Sequence, residues 1–212
     1  MSDCCDPVNQ IKQKKKTLVT VLMINATMFF IQFAAALIGH STALLADSLD
    51  MLGDALAYII SLYAAGKEPI WLARAALIKG SIIATFGIGV FIEVAIKIFF
   101  LSNDVFPQST IMIIFSLMGL LANTMSFYLL THHRSQDINM HSAWICARND
   151  ILANLSVFIT AGLIMIFHSR LPDMIIGLLL ASVLLLSAIK IIRKSILQIR
   201  KHAINIDKKV FV

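Results

Sequence analysis

Residues 42–65 read TALLADSLDMLGDALAYIISLYAA, and Asp47, Asp50 and Asp54 carry the only formal charges in this apolar stretch. At about 100° per residue, a helix places the three carboxylates within roughly a 60° arc, on one stripe of its surface. A carboxylate in hydrocarbon is costly, so such a residue normally faces a protected interior and marks an ion or proton path. Three of them on one stripe therefore predict a cation site inside a bilayer.

The composition of the whole chain indicates a membrane protein. The chain has 212 residues, of which 58% are hydrophobic and 14% are charged, whereas soluble domains carry roughly 25% charged residues. Uncharged runs longer than the strands of a β-barrel pore recur along the sequence and do not alternate in polarity, which favours membrane-spanning helices. The net charge of +6 does not indicate a nucleic-acid partner, because the basic residues lie in short loops and tails.

Six membrane-spanning helices account for the apolar runs. We predict them at residues 17–39, 43–66, 75–101, 109–131, 142–167 and 173–192. Lys and Arg are concentrated before the first span, in alternate loops and after the last span, which places both termini in the cytoplasm. The predicted fold is an all-α polytopic membrane protein. It has a basic N-terminus (1–16), a membrane domain (17–192) and a short basic tail (193–212), with no C-terminal domain.

A second set of metal-binding residue types lies in the fifth predicted span. Cys146 and Asp150 are four residues apart, so they share one helix face, and Asn154 continues that face one turn further on. Two ligands from each of two helices give four, the usual number for a tetrahedral transition-metal site. A free cysteine is also an ordinary small buried residue, so the role of Cys146 stays open. Asp47 and Asn154 are accessory candidates.

The third predicted span contains an acid and a base at positions 93 and 97. Glu93 and Lys97 have the i, i+4 spacing in the order that favours pairing on a helix. We expect them to neutralise each other, and a transport role for Glu93 is the alternative.

Three segments carry a resemblance to a known family. They read HSTALLADSLDMLGD (40–54), HSAWICARNDILAN (141–154) and PDMIIGLLLASVLLLSAIKIIRKS (172–195). They resemble the second, fifth and sixth spans of the cation diffusion facilitator (cation efflux) family of divalent metal transporters, and the similarity covers most of residues 17–196. The resemblance implies that Asp50, Asp54 and Asp150 bind the metal, with Cys146 where the family has a histidine or aspartate. Asp47 matches an acid that is often present there but is not a standard ligand.

The resemblance implies a secondary transporter that exports a divalent metal from the cytoplasm in exchange for protons. Carboxylates crowded in a dry interior cannot all stay charged, so either protons or a divalent cation must accompany them. A thiolate favours zinc, cadmium or cobalt, and carboxylates favour manganese or ferrous iron; we expect a zinc-like cargo. We further expect a homodimer formed through the membrane domain, a location in the cytoplasmic (inner) membrane, and no prosthetic group.

Two other functions are compatible with the sequence. One is a non-transporting membrane metal sensor or partner subunit, because the cytoplasmic metal-binding domain of the family is not apparent. The other is a proton-coupled exporter of small organic cations, with Asp47, Asp50 and Asp54 as the proton site. An enzyme is not indicated, because the sequence lacks a convincing catalytic triad, phosphate loop or His-Glu-x-x-His motif.

Overall fold

The computed structural model describes residues 7–64, 68–99, 106–131 and 138–210. Six helices make up the regular structure of these residues. They are α1 (Pro7–Ile38), α2 (Thr42–Ala64), α3 (Pro69–Phe99), α4 (Ser109–Thr131), α5 (Ile138–Phe167) and α6 (Leu171–Val210). The described residues contain no strand, and the predicted all-α class is confirmed.

Five of the six helices are long and apolar enough to cross a membrane by length and composition. These stretches are Lys15–Ile38, Ile70–Phe99, Ser109–Thr131, Ala143–Phe167 and Leu171–His202. The chain is therefore a multi-pass membrane protein. The helix α2 falls outside this group because three aspartates lie within its 23 residues, although it packs against α1, α3, α5 and α6 in the same bundle.

Several helices extend beyond the predicted spans. The helix α1 begins at Pro7 rather than at 17, and α6 continues to Val210 rather than ending at 192. Hydropathy detects only the part of a helix that suits hydrocarbon, whereas backbone hydrogen bonds continue a helix into polar sequence. Residues 65–66 and 100–101 of the second and third predicted spans lie outside the described residues.

The helix α2 is apolar on most of its circumference, which explains its central position. Leu44 and Leu49 lie about 140° apart around the helix, and each is at most 2% exposed. A helix that is hydrophobic all round is stable only when other helices surround it. This enclosure carries the aspartate stripe into the interior of the bundle.

At the end of the bundle where α2 and α6 begin, a buried acid joins the two helices. Asp173 of α6 is 0% exposed. It accepts hydrogen bonds from the Ser41 hydroxyl at 2.6 Å, the Thr42 amide at 2.7 Å and the Ala43 amide at 3.1 Å. These amides belong to the first turn of α2, whose N–H groups have no partner within their own helix. Asp173 therefore caps α2 from another helix.

A partly buried ion pair brings α3 to the same place. Lys97 Nζ lies 2.6 Å from Glu93 Oε1, as the spacing predicts. It also donates to the His40 carbonyl oxygen at 2.9 Å and to Thr42 Oγ1 at 2.7 Å. We call Ser41, Thr42, Glu93, Lys97 and Asp173 the Asp173 cluster. It ties α2, α3 and α6 together and so fixes the height of the aspartates along the bundle.

Candidate metal site

The acids of α2 and α5 lie together inside the bundle. The carboxyl groups of Asp50 and Asp54 each adjoin that of Asp150, and Asp54 also adjoins the Cys146 thiol. Asp54 is 7% exposed and Asp150 is 5% exposed. We call Asp50, Asp54, Cys146 and Asp150 the acid cluster. The spacing on each helix explains the arrangement, because residues four apart present their side chains on one face.

The contacts within the acid cluster are pairwise. Among the side chains that the structure describes, no three His, Cys, Asp or Glu groups converge closely enough to hold one ion as they stand. Like charges repel, and the carboxyl groups are spread along two helices rather than aimed at one point. A shared ion would require rotation about side-chain torsions, which in carboxylates is easily achieved.

Tyr58 provides a hydrogen-bond donor to the acid cluster. Its hydroxyl donates to Asp54 Oδ2 at 3.3 Å, and its side chain is 3% exposed. Tyr58 follows Asp54 by four residues, so the helix itself places the phenol above the carboxylate. This donor orients one oxygen of Asp54 and leaves the other toward α5. Tyr58 was not among the predicted site residues, although its i, i+4 spacing from an intramembrane acid is a sequence signal that could have identified it.

Lys79 of α3 is a second residue that the sequence analysis missed. The side chain is half-buried, and the ionisable groups near it include those of Asp54, Cys146 and Asp50. A lysine near the predicted cytoplasmic end of a span is easily attributed to topology. Lys79 nevertheless lies inside the predicted third span, and an ionisable residue within a span is a candidate functional residue by default.

The two accessory candidates lie one turn away from the acid cluster and bond to each other. Asn154 Nδ2 donates to Asp47 Oδ1 and to the Asp150 carbonyl oxygen, both at 3.1 Å. Gln32 Nε2 of α1 donates to Asn154 Oδ1 and to the Phe115 carbonyl oxygen of α4, both at 3.0 Å. We call Gln32, Asp47 and Asn154 the carboxamide network. It links four helices.

Close packing against α4 holds the carboxamide network in place. Gly119 of α4 lies so near that a Cβ atom at this position would overlap Asn154 Oδ1 and Gln32 Nε2. Only glycine leaves room for these two amides between α1, α4 and α5. The rotamers of Gln32 and Asn154 are therefore restricted by backbone as well as by hydrogen bonds.

Two cavities meet the acid stripe from opposite sides. The smaller, of about 90 Å³, is lined by Asp54, Tyr58 and Cys146, together with residues near the start of α1 and α5. The larger, of about 360 Å³, lies between α2, α5 and α6 and is lined by Asp47, Asp50 and Asn149. The acid cluster therefore lies between two spaces, one toward each end of the bundle.

The chain matches the cation efflux transmembrane domain family over residues 18–68 and 74–199. It is 30% identical over 193 residues to the zinc transporter ZitB of Pectobacterium atrosepticum, covering 85% of this chain and 60% of that protein. Identity to the probable zinc transporter MSC2 of Saccharomyces cerevisiae is 25% over 203 residues, covering 87% of this chain and 28% of that protein.

The vacuolar zinc transporter ZRC1 of Saccharomyces cerevisiae is 24% identical over 145 residues, which cover 62% of this chain and 32% of that protein. The chain thus spans between 28% and 60% of the length of these relatives. The family match covers most of the chain, from the start of the first membrane-spanning stretch to the end of the last. The protein belongs to the cation efflux family, whose members are transporters rather than enzymes.

Proposed function

We propose that this protein is a divalent metal efflux transporter that binds its cargo between α2 and α5. The proposed ligands are Asp50, Asp54, Asp150 and Cys146, with Asp47 and Asn154 as accessory residues. The supporting observation is that acids from two different helices adjoin one another at 7% exposure or less for Asp54 and Asp150. Buried acids of this kind are stable only with compensating positive charge, which a divalent cation supplies.

The cargo that fits these donors best is zinc or a zinc-like ion. Three carboxylates and one thiolate supply both oxygen and sulfur donors, which four-coordinate Zn²⁺ accepts. The zinc transporters among the relatives support the same choice. Cadmium and cobalt share the preference for sulfur, whereas manganese and ferrous iron would rely on the oxygens alone.

The exchange partner in this proposal is the proton. A carboxylate that releases a divalent cation in a dry interior must regain positive charge, and protons are the available source. The Lys79 amino group lies near Asp50 and Asp54, so in its protonated form it offsets part of the negative charge between cargo ions. Tyr58 keeps Asp54 oriented through its hydrogen bond.

Transport requires that the acid cluster open to each side in turn. The smaller cavity reaches Asp54 and Cys146 from the end where α1 and α5 begin, which the distribution of Lys and Arg predicts to be cytoplasmic. The larger cavity reaches Asp50 from the other side. We propose that the cargo enters through the first cavity and leaves through the second.

The assembly and location are also proposals. Large apolar side chains such as Phe30, Phe99 and Tyr128 are 69–79% exposed on the bundle surface, and a bilayer or a second copy of the chain would cover them. We propose a homodimer formed through the membrane domain, in the cytoplasmic (inner) membrane with both termini inside. Residues 1–16, before the membrane domain in the sequence, and residues 193–212, after it, then form two basic segments that both lie in the cytoplasm.

The test is metal-driven proton movement in proteoliposomes that contain a pH-sensitive dye. We expect zinc to move protons through the wild-type protein, and Asp54→Ala to abolish the signal. Glu68→Gln is the matched control, because it removes an exposed carboxylate outside the bundle. Absence of a signal with zinc, cadmium, manganese, iron and cobalt would refute the antiporter. Metal binding without flux would instead identify a metal sensor or partner subunit. Transport of small organic cations that zinc does not inhibit would identify a proton-coupled exporter of those cations.

A further inference from the structure

Asp47 is the most deeply buried acid of the stripe, and half of its carboxylate has no partner. The side chain is 1% exposed. Its Oδ1 accepts a hydrogen bond from Asn154, whereas Oδ2 has no hydrogen-bond partner among the described residues. Leaving a buried polar atom unpaired costs about 1–3 kcal/mol, so this oxygen is available to a further partner such as a cation.

A second unpartnered oxygen belongs to Gln32, whose side chain contacts Asp47. Gln32 is 0% exposed, and its side-chain amide adjoins the Asp47 carboxyl group. The amide nitrogen is used twice, on Asn154 and Phe115, while Oε1 has no partner among the described residues. Two buried oxygen acceptors without donors among the described residues thus belong to side chains that both bond to Asn154, one on α1 and one on α2.

The surroundings of Asp47 give a bound cation both space and access. Asp47 and Asp50 line the same cavity of about 360 Å³. A cavity of this size holds several water molecules, which can complete the shell of an ion that has few protein ligands. The cavity also contacts the acid cluster through Asp50, so Asp47 and the acid cluster border one common space.

The donor types at this position differ from those of the acid cluster. A carboxylate, a carboxamide oxygen and water are hard oxygen ligands, without sulfur. Such a set binds divalent ions more weakly and with less preference for zinc or cadmium than a set with a thiolate. An exit position should bind in this way, since cargo must be released from it.

We propose that Asp47 Oδ2 and Gln32 Oε1 form a second cation subsite, made of oxygen donors alone, which receives the divalent cargo from the acid cluster. Asn154 is its positioning residue, because it holds both Asp47 and Gln32. The role on the exit route rests on the proposed efflux function, whereas the binding of a divalent cation does not.

The subsite is tested with Mn²⁺ alone, by electron paramagnetic resonance of the full chain in lipid nanodiscs. The double variant Asp54→Asn/Asp150→Asn removes one carboxylate of the acid cluster from each helix, and we expect one weaker Mn²⁺ site to remain. Adding Asp47→Asn should weaken that site by about tenfold or more. Adding Glu68→Gln, an exposed carboxylate, should leave it unchanged. Equal Mn²⁺ binding with and without Asp47→Asn would overturn the proposal.

A variant that strengthens Mn²⁺ binding complements the loss-of-binding variants, because misfolding can abolish binding but cannot increase it. Gln32→Glu supplies a second carboxylate at the proposed ligand position, and we expect Mn²⁺ affinity in the double-variant background to rise by roughly tenfold. An unchanged or lower affinity in a folded Gln32→Glu protein would overturn the subsite. If Mn²⁺ binds as expected but proteoliposomes move no metal, the subsite stands and the efflux function fails.

The test also separates a second subsite from a single shared site. In the otherwise wild-type protein, Asp47→Asn should slow zinc efflux while weakening zinc binding at the acid cluster far less than Asp50→Asn does, because Asp50 is a proposed ligand of that cluster. A large loss of zinc affinity in this variant, with no Mn²⁺ site in the double-variant background, would show that Asp47 is a ligand of the acid cluster itself. That result would overturn the proposal.

Discussion

The Asp173 cluster and the acid cluster bury the same residue type in opposite ways. Asp173 accepts three hydrogen bonds from Ser41, Thr42 and Ala43, all within 3.1 Å. Among the described residues, Asp54 accepts a hydrogen bond from the Tyr58 hydroxyl at 3.3 Å, and its other neighbours are a carboxyl group, a thiol and the Lys79 side chain. A buried carboxylate with several hydrogen-bond donors connects helices and stabilises the fold. A buried carboxylate with few donors keeps oxygen atoms available to bind a cation.

The two clusters also differ in what they connect. The Asp173 cluster joins helix ends through backbone groups, which cannot change partners without unwinding the first turn of α2. The acid cluster joins helix middles through side chains alone, and side chains change rotamer readily. The bundle therefore has a rigid end and an adaptable centre, which suits a protein that must hold and release cargo.

The largest expected effect is on Asp54. Asp54→Asn keeps the shape of the side chain but removes a proposed ligand, and we expect zinc flux to fall by at least about 100-fold, because even outer-shell changes cost 10–100-fold. The melting temperature should not fall, since the variant also relieves repulsion from Asp150. Stopped-flow flux and thermal unfolding in detergent measure both quantities. A lower melting temperature with normal zinc flux would contradict this prediction, because it would give Asp54 the stabilising role assigned to Asp173.

Asp173→Asn should show the opposite pattern. The amide group cannot accept hydrogen bonds on its nitrogen, so a donor of the α2 first turn loses its partner. We expect the free energy of unfolding to fall by roughly 1.5–3 kcal/mol, the range for hydrogen bonds to a charged group. Flux per folded molecule should change far less than in Asp54→Asn. Denaturant titration in mixed micelles measures the first quantity, and unchanged stability would contradict the role of Asp173 as a cap.

Cys146→Ser changes the chemistry of the acid cluster without changing its size. A hydroxyl is a poorer ligand than a thiolate for soft ions. We expect the ratio of cadmium to manganese affinity to fall by about tenfold, a typical cost of altering one group at a metal site. Competition binding with the two ions measures the ratio. An unchanged ratio would assign Cys146 to packing alone.

Lys79→Met gives the smallest expected effect. It removes the positive charge near Asp50 and Asp54 while preserving most of the side-chain volume. We expect zinc affinity to rise by a few-fold, because a partly exposed charge pair is worth roughly 0–1 kcal/mol. Lys190→Met, at an exposed position on α6, is the matched control. Weaker zinc binding in Lys79→Met would mean that the lysine supports the site rather than competes with the cargo.

Much of the fold was readable from the sequence because hydrocarbon imposes a simple pattern. The apolar runs predicted six helices in the observed order, and the helices α1 and α6 extend past the predicted spans into charged sequence. The pairing of α2 with α5 was expected from spaced acids and a family resemblance. It could not follow from periodicity, because periodicity gives the face of a helix and not its neighbour.

The supporting residues of the site were harder to predict. The acceptor roles of Asp173 toward α2 and of Asn154 toward Gln32 depend on contacts between positions more than 100 residues apart. Lys79 was visible in the sequence as a charge within a span but was not among the predicted site residues. The distinction between a satisfied and an unsatisfied acid exists only in three dimensions, since both are a single Asp in apolar sequence.

The measurement that tests the central claim most directly is a double-mutant cycle for zinc affinity between Asp54 and Asp150, by isothermal titration calorimetry in nanodiscs. If both carboxylates bind one ion, Asp54→Asn and Asp150→Asn should each weaken binding strongly. The double variant should then lose little more than either single variant, so that the coupling energy lies well outside additivity. Losses that simply add, or a variant that binds zinc as the wild type does, would contradict a shared site between α2 and α5.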